Sequence, residues 1–154
     1  MKNFMQKVVT TATEEPKSVP VSQYMATKLI TFHPDSDISD VVDILLSKRI
    51  TGAPVLNDHQ EIVGMIDDKT CLKLLVGSQY YNTPNSKDPV SNYMDDVMQT
   101  VSEHTSIVEA ANIFLETRFK RLLVVNELGK LVGQISRRDI LRAIHDHNSI
   151  SWRK

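Results

Sequence analysis

The chain has 154 residues, 41% of them hydrophobic and 24% charged, with a formal net charge of −1. This is the composition of an ordinary globular protein, either one domain or two small units sharing a core. The balanced charge excludes a global field that recruits nucleic acid or an anionic membrane, and no stretch reaches the roughly 18 apolar residues of a membrane span.

Residues 1–20 carry Glu14-Glu15-Pro16 and Pro20 and read as an N-terminal arm. Met1 to Val9 lacks the continuous apolar core of a signal peptide. With the single cysteine, Cys71, which excludes an intrachain disulfide, this gives the expectation of a cytoplasmic protein. After the lead-in Val21-Ser22-Gln23-Tyr24-Met25, Leu29-Ile30-Thr31-Phe32 reads as a strand and His33-Pro34-Asp35-Ser36 as a turn. Val41, Val42, Ile44, Leu45 and Leu46 give a broad apolar helical face running through Lys48. Ala53-Pro54-Val55-Leu56 and Ile62-Val63-Gly64-Met65-Ile66 are strands of a hairpin, turned at Asn57-Asp58-His59-Gln60-Glu61. Asp67 or Asp68 caps a closing helix through about Leu75, within which Cys71 reads as a packed core residue.

The lead-in then recurs as Val90-Ser91-Asn92-Tyr93-Met94, at a constant offset of 69 residues. The match runs without a gap to Leu75 against Ile144, with identities that include Leu46/Leu115, Gly64/Gly133, Ile66/Ile135 and Leu72/Leu141. Two copies of a β-α-β-β-α unit follow: repeat 1 over 21–75, a polar linker over 76–89, repeat 2 over 90–147 and a tail over 148–154. In the second copy the elements are a strand at Met98–Val101, a helix capped by the box Ser106-Ile107-Val108-Glu109, strands at Leu122–Val125 and Leu131–Ile135, and a closing helix from Arg137 to about His147. A unit of about 55 residues buries too little surface to stand alone, so the copies share a core, with a groove between related halves as a place for a small ligand.

Ser136 stands where the last strand hands over to the closing helix, with Asp139 three residues on. Unpaired N–H groups and the positive end of the helix dipole favour an oxyanion or polar ligand there. Ser-x-x-Asp is also a capping pattern, and these residues alone leave both readings open.

On these features the chain resembles a tandem pair of cystathionine-β-synthase (CBS) domains, a Bateman module, over about residues 20–146. The features are the Val-Ser-x-Tyr-Met lead-ins, Arg49-Ile50-Thr51-Gly52-Ala53-Pro54-Val55-Leu56-Asn57 with its counterpart Arg118 to Asn126, and Gly133-x-x-Ser136-x-x-Asp139. The resemblance implies an α/β (α+β) fold with two CBS repeats packed pseudo-two-fold around a central groove. It implies regulatory binding of an adenosine compound (AMP, ADP or ATP, alternatively S-adenosylmethionine), no obligatory cofactor and no catalysis. A homodimer and an unidentified effector protein are the implied partners. The other reading is a ligand-free structural dimerisation module.

In the family's pattern each site joins the Ser/Thr-x-x-Asp of one repeat to the first two strands of the other. Carried over, Asp139 accepts the ribose hydroxyls, Ser136 donates to ribose or phosphate oxygen, Ile135 belongs to the same ligand-binding set, and Arg121 and Arg138 face phosphate. Lys120 is left open between phosphate and water. Thr27, Lys28, Leu29 and Ile30, with Ile50, Thr51, Gly52, Ala53 and Pro54, supply the purine slot. Repeat 1 departs from the motif: Asp67 replaces the hydroxyl residue and Thr70 the carboxylate, so one good site and one degenerate site are expected. The five histidines form no metal or triad pattern, and no phosphate-binding glycine loop or nucleophile elbow is present.

Overall fold

A computed structural model of the chain describes residues 18–76 and 87–152, with side chains through His147. Most of the expected arm (1–17), the greater part of the linker (77–86) and the end of the tail (153–154) lie outside the described residues. The elements in order are α1 (Ile38–Lys48), β1 (Gly52–Leu56), β2 (Ile62–Asp67), α2 (Asp68–Cys71), α3 (Lys73–Val76), β3 (Thr100–Ser102), α4 (Ile107–Glu116), β4 (Arg121–Val125), β5 (Leu131–Ser136) and α5 (Arg137–Trp152). Single 3-10 turns form at Val21–Gln23 and Val90–Asn92 in the two lead-ins.

The described residues gather into two compact units, and neither is a single sequence repeat. One unit comprises 28–76, 87–98 and 129–131, the other 18–27, 99–128 and 132–152. Each body thus takes its lead-in from the other repeat.

In the first-repeat unit, Asp37 caps α1 by accepting the Ser39 N–H at 3.1 Å, and Arg49 closes it in the left-handed region at φ 55°. Ile38, Val41 and Leu45 are buried, whereas Leu46 is 73% exposed, so the apolar face is narrower than its sequence suggested. β1 and β2 pair antiparallel from Gly52–Asp67 to Leu56–Ile62, with an irregularity between Val55 and Leu56. Phe32, Ile38, Val41, Leu45, Ala53, Val55 and Ile66 form the core, completed by Val90 and Tyr93 of the lead-in. Cys71 is half-buried against it.

The second-repeat unit has a three-stranded sheet in the order β3-β4-β5, with β3 parallel to β4. Its core joins Val101, Ile107, Ala110, Leu122, Val124, Ile135, Ile140 and Ala143 to Val19 and Val21. Val19 is fully buried and its carbonyl accepts the Ile107 N–H at 2.9 Å, so the core begins inside the stretch that read as an arm. The box predicted for α4 is present: Glu109 N–H donates to Ser106 Oγ and Ser106 N–H to Glu109 Oε1, each at 3.1 Å.

Two expectations fail in repeat 1. The strand read at Leu29–Phe32 is reduced to one parallel bridge, Phe32 to Val55. The bonds made are Phe32 N–H to Pro54 O at 3.1 Å and Leu56 N–H to Phe32 O at 2.8 Å. The next rung needs an N–H at residue 54, and proline has none. Repeat 2 has Leu123 at that position, which donates to Gln99 O at 3.0 Å, and there the strand forms. The closing helix of repeat 1 also breaks at Leu72 into two four-residue pieces, while α5 runs for 16 residues. Among the described residues no helix is long and apolar enough to cross a membrane.

Candidate functional site

The end of β5 and the start of α5 build a reciprocal cap. Asp139 N–H donates to Ser136 Oγ at 3.2 Å, and Ser136 N–H donates to Asp139 Oδ2 at 2.9 Å. The Ser136 hydroxyl donates to that same Oδ2 at 3.0 Å. Two orphan donors of the helix start are satisfied, and the cap is complete without a ligand. The Asp139 side chain is only 16% exposed, and its Oδ1 receives Arg142 Nη2 at 3.2 Å, one turn along α5. A carboxylate offers about four acceptor positions, so Oδ1 retains room for a further donor.

The equivalent turn of repeat 1 is capped with the chemistry exchanged. Thr70 N–H donates to Asp67 Oδ1 at 2.8 Å, and Asp67 N–H donates to Thr70 Oγ1 at 3.1 Å. The Thr70 hydroxyl turns back to the Asp67 carbonyl at 3.0 Å. The carboxylate therefore sits on the strand side of the junction, and the helix side offers a hydroxyl.

The predicted residues divide between the units. In the second-repeat unit, Ile135, Ser136, Arg138 and Asp139 are contiguous at the junction, and Arg121 opens β4, the neighbour of β5. Thr27 follows Ala26, whose backbone pairs with Gln134 at 2.9 and 3.0 Å just before the junction. Arg138 is exposed on the first turn of α5, where a cation opposes the helix dipole. Lys120 is likewise exposed.

In the first-repeat unit, Ile30 and Ile50 are half-buried against one core, Leu29 is half-buried and Lys28 is exposed. Gly52, Ala53 and Pro54 are buried in β1, and Ala53, 1% exposed, is a core residue. Thr51 is exposed and its carbonyl accepts the Asp68 N–H at 2.8 Å. Among the described residues no group of three or more His, Cys, Asp or Glu is placed to hold a metal ion.

Two features escaped the sequence reading. The first is the glycine of each Gly-x-x-x motif, which acts as a seat for a lead-in methionine. A Cβ on Gly133 would lie 2.3 Å from Met25 Sδ and 3.0 Å from the Ala26 carbonyl; one on Gly64 would lie 2.8 Å from Met94 Sδ and 3.1 Å from the Asp95 carbonyl. The pairing of Met and Gly identities in both repeats was the available signal. The second is a set of side chains around Tyr24. Arg142 Nη2 donates to the Tyr24 carbonyl at 3.2 Å, and its guanidinium carbon stands 5.9 Å from the Tyr24 ring centre. The Tyr24 hydroxyl donates to Asp146 Oδ2 at 2.9 Å. Burial first, then that bond to Asp146, raises the Tyr24 phenol above its ordinary pKa, and Arg142 opposes the rise. The spacing of Asp139 and Arg142 pointed to their ion pair, but nothing local pointed to Tyr24.

Comparison with known proteins gives a match to the CBS domain family model over residues 21–77 and 90–146. The chloroplastic CBS domain-containing protein CBSX1 of Arabidopsis thaliana is 31% identical over 148 residues, which cover 80% of this chain and 63% of that protein. The chain thus spans less than two thirds of the length of that curated relative. The crystal structure of CBSX2 in complex with AMP matches with a TM-score of 0.72 and 30% identity, covering 83% of this chain and 97% of that one. The CBS domain pair of protein MJ0100, solved with 5′-methylthioadenosine and S-adenosyl-L-methionine, gives a TM-score of 0.69 over 83% of this chain and 97% of that one. At 22% identity that likeness is one of fold.

Proposed function

Because the chain belongs to the CBS-domain family, we propose that it is a regulatory module that binds an adenosine-containing ligand through Ser136 and Asp139 and performs no catalysis. The observation that carries this reading is the Asp139 carboxylate, held almost buried at a helix start with acceptor capacity left on Oδ1. A carboxylate so placed accepts ribose hydroxyls, as acidic residues do in dinucleotide folds. The relative solved with AMP supports an adenosine ligand, and AMP is the first candidate, ahead of ADP, ATP and S-adenosylmethionine. Arg121 and Arg138 are assigned to phosphate, and Thr27, which follows the Ala26–Gln134 bridge, to the purine. The turn at Asp67 and Thr70 is assigned no ribose, since a hydroxyl stands where the carboxylate is needed.

Calorimetric titration of the protein with AMP, ADP, ATP and S-adenosylmethionine tests the reading, and absence of binding by all four overturns it. Asp139→Ala removes hydrogen bonds to a charged acceptor worth about 1.5–3 kcal/mol, so affinity falls by about one to two orders of magnitude. Unchanged affinity rejects the ribose assignment.

A second reading, a homodimer, is favoured by one pattern. Leu46 and Leu115 are the same residue of the two repeats, as are Leu72 and Leu141, and they stay 73%, 83%, 61% and 64% exposed. Leucines left exposed at equivalent positions, on α1, α4 and α5 and at the break of the closing helix of repeat 1, fit an association surface. Light scattering on the protein and on Leu46→Glu with Leu115→Glu tests this: a dimer that the pair converts to monomer supports it, and a monomeric parent rejects it.

A further inference from the structure

We propose that Arg142 is a clasp that couples occupancy of Asp139 to the Tyr24 lead-in; the inference rests on Asp139 being the ribose acceptor. Oδ2 of Asp139 already receives two donors from Ser136, at 2.9 and 3.0 Å, both tied to the cap. Both hydroxyls of a ribose diol must therefore donate to Oδ1, whose two lone pairs hold them only if Arg142 leaves. The guanidinium is held to Oδ1 by one nitrogen at 3.2 Å and is 54% exposed, so it is the donor that yields.

The same Nη2 donates to the Tyr24 carbonyl at 3.2 Å. Arg142 thereby ties the ribose acceptor to the lead-in, two residues before the Ala26–Gln134 bridge. Displaced from Oδ1, the guanidinium loses the charge that fixes it beneath the Tyr24 carbonyl, and the segment Tyr24–Ala26 loosens. Tyr24 keeps its hydroxyl bond to Asp146, so the release is local. Repeat 1 lacks the device: Thr70 and Lys73 occupy the equivalent positions, and no carboxylate is there to exchange. The lead-in tyrosine of the first-repeat unit, Tyr93, donates to Asp88 instead.

The test is hydrogen exchange at the amides of Tyr24, Met25 and Ala26, with AMP affinity measured in parallel, on the parent chain, Arg142→Met and Arg142→Lys. In the parent, AMP speeds exchange at these amides about two- to fivefold, the shift available from one exposed ion pair. Arg142→Met exchanges fast without AMP, gains nothing on adding it, and binds AMP about two- to fivefold more tightly because no ion pair has to open. Arg142→Lys restores part of the AMP response. If the parent binds AMP but these amides are unchanged or slowed, the clasp is overturned and the ribose assignment stands. The same holds if Arg142→Met keeps the full response or binds more weakly. If the parent binds none of AMP, ADP, ATP and S-adenosylmethionine, both fall.

Discussion

The two strand-to-helix junctions, Asp67-x-x-Thr70 and Ser136-x-x-Asp139, solve one problem with the same two functional groups in opposite order. Each satisfies the first helical N–H groups with one carboxylate and one hydroxyl, and each does so reciprocally. As caps they are interchangeable. They differ in where the negative charge rests: on the strand-end residue at Asp67, and one turn into the helix at Asp139. Only the second arrangement leaves a carboxylate oxygen engaged by a lone side-chain donor, Arg142, that a ligand can replace. The two junctions separate properties that a motif merges: capping needs the pair, whereas in the proposed function ligand choice depends on its order.

The repeats differ most in their sheets. Leu123→Pro imports the residue that curtails the first strand of repeat 1. It removes the N–H that donates to Gln99 O and truncates a side chain only 1% exposed. Loss of that packing and of the hydrogen bond costs about 2–4 kcal/mol in urea denaturation, and β3 shrinks to a bridge at Val101. Retention of full stability would show that the proline is not what shortens the pairing in repeat 1.

Next comes the exchange of order itself. Ser136→Asp with Asp139→Thr rebuilds the junction of repeat 1 at the head of α5. The cap survives, so stability changes by no more than about 1 kcal/mol, the worth of the exposed Arg142 ion pair. Ligand affinity falls about 10- to 100-fold, as expected when a charged acceptor loses its hydrogen bonds. The converse, Asp67→Ser with Thr70→Asp, raises ligand stoichiometry in the same titration. If both junctions bind equally before and after exchange, order does not set ligand choice.

What the chain discloses about itself follows the same line. The repeat, the hairpins, the Ser106–Glu109 box and the position of Ser136 were legible because each depends on local pattern at fixed spacing. The missing strand at Leu29–Phe32 was not, although its cause, Pro54, was in plain view. A proline's effect depends on which neighbour needs its N–H, and that is fixed by register. The exchange of lead-ins was hidden for a related reason: a repeat shows which residues are equivalent, not which body they complete. Val19 looked like part of an arm because the core that buries it, and the Ile107 N–H that bonds its carbonyl, lie far along the chain. The motif at Ser136 and Asp139 was readable, but Arg142 reaching Tyr24 was not.

A smaller effect tests the methionine seats. Gly133→Ala forces Met25 Sδ away and presses on the Ala26 carbonyl that pairs with Gln134, while Gly64→Ala meets Met94 Sδ and the Asp95 carbonyl at longer range. Overpacking of this kind costs about 1–3 kcal/mol, and the flexible thioethers place both changes toward the lower end. Gly133→Ala is the more costly of the two. Adding Met25→Ala to Gly133→Ala gives a double variant more stable than the sum of the singles. Strict additivity would mean that the glycine serves something other than the methionine.

The smallest expected effects separate the two lead-in tyrosines. Tyr93 is 2% exposed and donates to Asp88 Oδ2; burial, then that bond, pushes its phenol up to about 12 from an ordinary value of 10.0. A raised value in the fold favours the neutral phenol. Its contribution to stability is therefore complete below pH 10, where the unfolded chain is also neutral, and declines as pH rises toward 12. Tyr93→Phe loses the hydrogen bond, costing about 1 kcal/mol at neutral pH, and flattens the alkaline decline. Tyr24 is half-buried, with an exposed bond to Asp146, and Tyr24→Phe costs less, within about 0.5 kcal/mol. Denaturation of both variants at neutral and alkaline pH checks the order. Equal losses would mean that the buried and the half-buried lead-in are held alike, which their different exposure argues against.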